Sequence, residues 1–246
     1  MVESCRSLIL INQYFVSSFS QRKQEIDDTV KRNSTHPAFE KYIIFLEKEE
    51  DRAVLEQVII ADKHIEVINV GKRTNYADIF KFLSDRKDLF DKVCIYSNAD
   101  IYFDDTIEEL KKVTERHFIC LSRREIDANG NSVDYPPKVT MTTQDLWAFV
   151  NPVPAKLIDA TNFVNGHWGC ENRLAYEAQA VGYQLFNPYL TVKIYHNHKS
   201  QQGRPPASIR IPGNYTAVFQ CTNLSTPSQI HNFICLGGEN YLGHPW

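Results

Sequence analysis

The fold of this chain is decided by the stretch Val93-Cys94-Ile95-Tyr96-Ser97-Asn98-Ala99-Asp100-Ile101-Tyr102-Phe103-Asp104-Asp105, an apolar run that ends in oxygen-bearing side chains. Such a continuous β-branched and aromatic run predicts a buried strand of a parallel sheet, and parallel sheets hold their ligands at the carboxyl ends of the strands. Side chains alternate along a strand, so we predict that Asn98 and Asp100 point the same way. They would offer an amide oxygen and a carboxylate to a hard cation, Mn²⁺ or Mg²⁺, that carries a diphosphate.

The acids that follow this strand favour a structural role. Asp105-Thr106-Ile107-Glu108 has the spacing of a capping box in front of a helical segment. We therefore assign Asp104 and Asp105 mainly to the start of that helix. Asp100 precedes the cap, and it is the acid of this cluster to which we assign a function.

Composition and charge bound the kind of partner. The 246 residues carry a formal net charge of −3, which gives no basic field for nucleic acid or anionic lipid. The cysteines lack the paired spacing of a zinc ribbon. The first residues lack a basic segment, and the apolar run 8–11 is too short for a signal or a membrane span. We expect a cytoplasmic protein without a membrane span, whose partner is a small molecule or glycan and whose oligomeric state stays open.

Predicted strands and helices alternate over the first 115 residues, which indicates right-handed βαβ units. The fold class is therefore α/β, with a mostly parallel, Rossmann-like central sheet flanked by helices. Residues 116–204 are less regular, and residues 205–246 are predicted to form a loop-rich C-terminal tail. The predicted strands are 7–15, 42–46, 64–70, 93–103, 117–122, 146–150 and 190–195, and the predicted helices are 20–31, 52–61, 74–83, 107–113 and 172–181.

A second informative segment is Asn165-Gly166-His167-Trp168-Gly169-Cys170-Glu171-Asn172. Two glycines around an aromatic, with a carboxylate at the start of a helix, predict a tight turn that brings backbone and acid close to a ligand. The alternative is structural: Glu171 complements the helix dipole and Trp168 belongs to the core.

The third segment, His196-Asn197-His198-Lys199-Ser200, follows a predicted strand. An isolated pair of this kind is more often incidental than a metal site. At the end of a strand, however, His196 and His198 could supply an imidazole to the cation at Asp100, while Lys199 and Arg204 neutralise phosphate.

In this order, the three segments resemble the GT-A glycosyltransferases. More narrowly, they resemble the small bacterial and chlorovirus-type enzymes, which have an N-A-D-I-x-F-D-D strand end, a G-C-(D/E)-N turn and an H-x-H after the last core strand. The resemblance spans about residues 8–204 and implies a single GT-A domain over 1–246. It also implies a divalent-metal-dependent transferase, with Asp100 on the metal and His198 as the late-arriving ligand. The chain departs from the pattern at Asn98, where many relatives carry Asp, and at Glu171, where the turn often has Asp.

The resemblance places the donor nucleotide on residues 1–115 and the acceptor and catalysis on 116–204. Inverting sugar transfer needs one carboxylate as general base opposite the departing diphosphate. Glu171 is the candidate. Its competitor is Asp145, which could instead orient the sugar or acceptor, with Trp147 stacked on a sugar ring. The remaining donor-side candidates are Arg73, Tyr76, Asp78 and Arg123.

The sequence therefore predicts a metal-dependent inverting glycosyltransferase that moves a sugar from a nucleotide-sugar donor to a glycan acceptor. The resemblance favours UDP as the nucleotide, with a pentose or deoxyhexose as the working choice of sugar. Two alternatives stay open: an inactive nucleotide- or glycan-binding module, and a metal-dependent nucleotide-sugar hydrolase or nucleotidyltransferase.

Overall fold

The structure, a computed structural model, describes residues 5–60, 64–127, 129–203, 206 and 209–235. Its strands are β1 Leu8–Tyr14, β2 Phe39–Leu46, β3 Ile65–Asn69, β4 Val93–Ser97, β5 Ile101–Phe103, β6 His117–Ser122, β7 Arg124–Ile126, β8 Ser132–Val133, β9 Gln144–Val150, β10 Gln184–Phe186, β11 Ile194–His196, β12 Gly213–Val218 and β13 Ile230–Cys235. Its α-helices are α1 Ser20–Ser34, α2 Arg52–Val58, α3 Tyr76–Ser84, α4 Pro137–Thr140, α5 Ala155–Ala160 and α6 Cys170–Ala180. Short 3₁₀ helices span Glu49–Asp51, Lys87–Leu89 and Asp105–Lys112.

The central sheet has seven strands in the order β10-β6-β9-β4-β1-β2-β3. Neighbouring strands are parallel except at β9, which is antiparallel to both β4 and β6. The prediction of a mostly parallel central sheet flanked by helices is confirmed. The exception at β9 brings the beginning of that strand to the edge where its neighbours end.

The sheet is buried on both faces, which explains why its strands are apolar throughout. Every residue of β1 is buried. Leu8 and Leu10 belong to one apolar layer, which includes Ile26 of α1, whereas Ile9 belongs to the other, which includes Phe80 of α3. Because helices cover both faces of the sheet in the described part of the chain, its edges and strand ends are the places where a ligand can approach it.

The stretch that decides the fold is shorter as a strand than its composition predicts. Strand β4 ends at Ser97, and the backbone N–H of Ile101 donates to the Asn98 carbonyl at 3.2 Å, which makes a turn. The prediction that Asn98 and Asp100 share one side of an extended strand is therefore wrong. The turn ends the period-two alternation on which that prediction rests.

The acids after this turn lie at the start of a helix, as predicted, but the cap is one residue earlier than the capping-box spacing at Asp105 predicts. The carboxylate of Asp104 accepts a hydrogen bond from the backbone N–H of Thr106 at 3.0 Å, so Asp104 is the capping residue. Asp105 is the first helical residue and is exposed. The helix itself is of the 3₁₀ type.

The C-terminal half contains more small-sheet structure than the sequence indicates. The predicted strand 190–195 is reduced to β11, because the backbone N–H groups of Thr191 and Val192 turn back to the Pro188 carbonyl. Strand β11 belongs to a four-stranded sheet in the order β5-β11-β7-β8. Within the predicted tail, β12 and β13 form an antiparallel hairpin.

In the part of the chain that the structure describes, no helix combines the length and the apolar character needed to cross a membrane.

Candidate active site

A cavity of about 710 Å³ lies where the parallel strands of the central sheet end. Because β9 runs the opposite way, its beginning meets the ends of its neighbours and contributes to the same cavity. The polar residues that these strand ends supply to the cavity include Gln13, Glu47, Asn98, Asp100, Arg123 and Asp145. The carboxyl edge of the sheet is therefore the candidate active site, as the sequence predicts.

Asp100, His196 and His198 form one buried cluster in this cavity. The Nε2 atom of His196 lies 3.0 Å from Oδ2 of Asp100, and Nδ1 of His198 lies 3.8 Å from the same oxygen. One potential ligand atom from each residue lies within 4.8 Å of the others. The cluster could therefore hold a divalent cation.

The second nitrogen of each imidazole is also held in place. Nδ1 of His196 contacts the Glu125 carboxylate at 2.9 Å, and Nε2 of His198 contacts the Gln202 carbonyl at 2.8 Å. Metal-binding histidines usually have such partners, because the partner fixes the ring and the tautomer. A carboxylate with two oriented imidazoles fits a divalent transition-metal ion.

A residue that the sequence did not single out, Arg22 of α1, contacts the same carboxylate. Its Nη2 donates to Oδ2 of Asp100 at 2.5 Å, and its Nη1 lies 3.4 Å from Glu25. Glu25 in turn accepts hydrogen bonds from the backbone and hydroxyl of Ser200, at 2.6 and 2.9 Å. Helix α1 is thereby joined to the segment that carries His198.

The charges of this cluster shift its pKa values strongly. Burial alone would raise the pKa of Asp100, but the charges of His196 and Arg22 hold it well below its usual value. Burial lowers the pKa of His196, yet Asp100 and Glu125 outweigh it and raise this pKa to about 9. For His198, burial and the nearby Arg22 charge lower the pKa. The carboxylate is thus kept ionised, as a cation ligand must be.

The two candidate bases, Asp145 and Glu171, both line the cavity but have different environments. The carboxylate of Asp145 accepts short hydrogen bonds from the Asn98 amide and the Arg123 guanidinium, one on each oxygen. Glu171 lies in the first turn of α6, with the Cys170 thiol 3.5 Å from its carboxylate. Burial, helped by the charge of Asp145, raises the pKa of Glu171 to about 7.

Asn98 lines the cavity but lies in the Asp145 network rather than in the Asp100 cluster. Its Oδ1 accepts from Nδ2 of Asn165 at 3.1 Å, and its backbone N–H donates to the Asp145 carbonyl at 3.0 Å. These bonds fix the turn after β4 against β9. The sequence predicts that Asn98 and Asp100 present their oxygens side by side to one cation; in the structure the described side-chain hydrogen bonds of Asn98 run to Asp145 and Asn165.

Of the remaining donor-side candidates, Arg73 and Arg123 line the cavity, whereas Tyr76, Asp78 and Lys199 are not among its described lining residues. Tyr76 is fully buried, and its hydroxyl donates to Asn165 at 2.7 Å, so it supports the site from the core. Asp78 completes the capping box of α3 and pairs with Lys72 at 2.7 Å.

Lys199 is exposed. Arg204 lies outside the described residues.

Two tryptophans that lie close to the candidate acids in sequence have different surroundings. The Trp147 ring is stacked on Tyr96 with ring centroids 5.8 Å apart and is almost fully buried. That face is therefore not available to a sugar, contrary to the expectation for Trp147. Trp168 is partly exposed and lines the cavity together with Tyr215 and Phe233.

The expected close turn before Glu171 is present. Gly169 caps α6 in a left-handed conformation with φ of +80°, and a Cβ atom there would lie 1.9 Å from the Tyr215 hydroxyl. Gly169→Ala is therefore expected to combine backbone strain with overpacking, at a cost of about 2 to 5 kcal/mol in the free energy of unfolding. Urea denaturation measures this loss.

The matched control is Gly130→Ala. Gly130 has φ of +88°, but a Cβ atom at this position would meet nothing within 4 Å beyond its chain neighbours, so only the strain of about 1 to 2 kcal/mol is expected. Equal losses for the two variants would show that Tyr215 does not restrain the turn.

In sequence, the chain matches no protein-family model and no curated protein. In structure, it is similar to GalNAc-T7 with UDP, GalNAc and Mn²⁺ (TM-score 0.51, 12% identity, over 79% of this chain and 44% of that one). It is also similar to the mannosyltransferase PcManGT from Pyrobaculum calidifontis in complex with GDP-Man and Mn²⁺ (TM-score 0.51, 9% identity, over 81% and 59%). A third similar structure is 4-diphosphocytidyl-2C-methyl-D-erythritolsynthase from Anaerococcus prevotii DSM 20548 (TM-score 0.48, 11% identity, over 74% and 86%).

The chain thus spans about half the length of the two glycosyltransferases that it matches. The likeness shows a GT-A-like fold.

Proposed function

We propose that this chain is a divalent-metal-dependent, inverting glycosyltransferase that moves a sugar from a nucleotide diphosphate sugar to a glycan hydroxyl. One observation carries the proposal: the buried Asp100, His196 and His198 cluster shares a cavity with Glu171, a carboxyl whose pKa of about 7 suits a general base. The narrower likeness to small bacterial and chlorovirus-type enzymes is part of this proposal, as is UDP as the nucleotide.

The donor set favours Mn²⁺ over Mg²⁺. Magnesium prefers an octahedral shell of oxygen atoms, whereas imidazole suits transition metals. With Asp100 on the cation and His196 and His198 as further ligands, the bound ion would neutralise charge on the departing diphosphate. The glycosyltransferases of similar fold are described with Mn²⁺, which supports this choice.

We assign donor binding, orientation of the acids and proton transfer to different residues of the cavity. Arg73 is exposed, lines the cavity and lies beyond the end of β3, so we assign it to the donor diphosphate. Arg123 is already paired with Asp145 and with Glu125, at 2.8 Å to the latter, so it orients these acids. Glu171 takes the acceptor proton as the new glycosidic bond forms, and Trp168 offers a partly exposed ring to the acceptor.

The test is a thermal-shift panel of nucleotide sugars with and without Mn²⁺, followed by product analysis with candidate glycans. A ligand that binds only the folded state raises its stability in proportion to the logarithm of saturation. We expect a UDP-sugar to raise the melting temperature only with Mn²⁺, and a glycan product with inverted anomeric configuration. Release of free sugar without transfer would favour the hydrolase, and binding without turnover would favour the inactive module.

A further inference from the structure

The guanidinium of Arg22 occupies a place that a bound cation would need. Its Nη2 lies 2.5 Å from Oδ2 of Asp100, and both imidazoles of the cluster approach that same oxygen, at 3.0 and 3.8 Å. The Arg22 and Asp100 side chains are only 10% and 7% exposed. A cation that binds this oxygen must therefore displace the guanidinium, and its positive charge would repel it.

The cavity offers space for the displaced guanidinium. Arg22 lines the cavity, so a rotation of its side chain can turn it toward a ligand there. With the described residues, its second nitrogen makes long contacts, 3.4 Å to Glu25 and 3.4 Å to the Asn197 carbonyl. A planar guanidinium matches phosphate oxygens in a bidentate geometry.

Further hydrogen bonds join the helix that carries Arg22 to the cluster, so we assign the exchange to rotation of the Arg22 side chain. Asn33 near the end of α1 donates to the Ile101 carbonyl at 2.9 Å, and Asn197 donates to the Glu25 carbonyl at 2.9 Å. These bonds tie α1 to both segments that carry the cluster.

We propose that Arg22 couples cation binding to diphosphate binding: it holds Asp100 while the cation is absent, and it turns to the diphosphate when a cation takes Asp100. The proposal rests on the proposed function for its choice of ligands. It predicts that each ligand binds weakly alone, because the cation alone leaves a displaced guanidinium unpaired and the diphosphate alone meets a guanidinium already engaged. Together they bind more tightly, and the coupling is reciprocal.

The test is calorimetry with MnCl₂ and UDP, each titrated alone and in the presence of the other. In the native protein we expect each to tighten the other about 10-fold or more. In Arg22→Gln we expect Mn²⁺ alone to bind about 10-fold more tightly than in the native protein, since no guanidinium competes for Asp100. The factor by which each ligand raises the affinity for the other should fall toward one.

Two further variants keep the test sharp. Arg32→Gln removes an exposed charge from the same helix, where its guanidinium lies over the Tyr102 ring 4.5 Å from the centroid, and it should leave both titrations unchanged. Arg22→Lys keeps the charge but loses the planar fork, so Mn²⁺ alone should stay weak while the coupling to UDP falls. If Arg22→Gln does not fold, the titrations of Arg22→Lys test the coupling instead.

Undiminished coupling in folded Arg22→Gln, or in Arg22→Lys where only that variant folds, would overturn the inference. The inference would also be overturned if Mn²⁺ did not change the affinity of the native protein for UDP and Arg22→Gln lost UDP binding. Arg22 would then take the place of the cation permanently. Failure of the proposed function looks different: the coupling would be present and would depend on Arg22, while no sugar is transferred to any acceptor.

Discussion

Replacing Asp100 with asparagine is expected to abolish the metal-dependent binding of UDP, by more than about 100-fold in affinity, because groups that merely orient metal ligands already contribute about 10- to 100-fold. Asp100 supplies the only carboxylate of the described cation cluster, and the other two members are neutral ligands when they bind a metal. Calorimetry with MnCl₂ and UDP measures the loss.

Asparagine is preferable to alanine at this position. Asp100 is buried against Arg22 and His196, so alanine would leave a void beside a buried guanidinium and destabilise the fold. Asp105→Asn is the matched control, since this exposed acid of the following helix should leave both titrations unchanged. Unaltered metal-dependent affinity in folded Asp100→Asn would remove Asp100 from the site.

Much of the fold is predictable because both faces of the central sheet are covered. Strands buried on both sides must be apolar throughout, and the runs at 8–14, 42–46 and 93–97 therefore stand out from the polar helices between them. The small sheet and the hairpin of β12 and β13 are harder to predict. Their strands are short, and tertiary contacts rather than local pattern define where they begin and end.

Some residues of the candidate site can likewise be predicted from the sequence, whereas Arg22 cannot. Asp100, His196, His198 and Asp145 lie at or next to strand ends, where a polar residue beside an apolar run is conspicuous, and Glu171 is marked by the glycine turn at the start of α6. Arg22 lies in a helix rich in polar residues, where nothing in the pattern separates it from Arg32. The tertiary fold brings α1 to the segment of Asp100, where Arg22 pairs with that carboxylate and Asn33 bonds to the carbonyl of Ile101 at the start of β5.

Asn98 shows where the period-two pattern itself stops being valid. Its backbone and side chain both bond to Asp145 of β9, a strand that sequence periodicity does not place beside β4. A pairing between distant segments thus decides the direction of this side chain.

Replacing Glu171 with glutamine is expected to slow sugar transfer by about 10²- to 10⁴-fold, the usual loss when a general base is removed, while donor and Mn²⁺ bind almost normally. Both oxygens of Asp145 are engaged by Asn98 and Arg123, whereas the Glu171 carboxylate contacts its own backbone N–H and the weakly bonding Cys170 thiol. Glu171 is thus the acid better able to accept a proton. Initial rates with a UDP-sugar and a saturating acceptor measure the effect.

The pH dependence gives an independent readout. The base must be ionised, so the native transfer rate should rise through about pH 7, the pKa of Glu171, and Glu171→Gln should lack this rise.

Folding shifts this pKa upward from 4.5, so the folded state binds the proton more tightly than the unfolded state. The stabilising effect of that proton is complete below about 4.5 and is lost as the pH rises through about 7. The stability of Glu171→Gln relative to the native protein should therefore increase over that interval.

The matched variant is Asp145→Asn, which tests the competing assignment. Asparagine would lose the ion pair with Arg123 and keep the shape, so we expect weaker positioning of the donor and a smaller loss of rate than in Glu171→Gln. If Asp145→Asn stops transfer and Glu171→Gln keeps near-native turnover, the two roles are reversed. If neither variant slows transfer, or if the product retains the donor's anomeric configuration, neither Glu171 nor Asp145 acts as an inverting base.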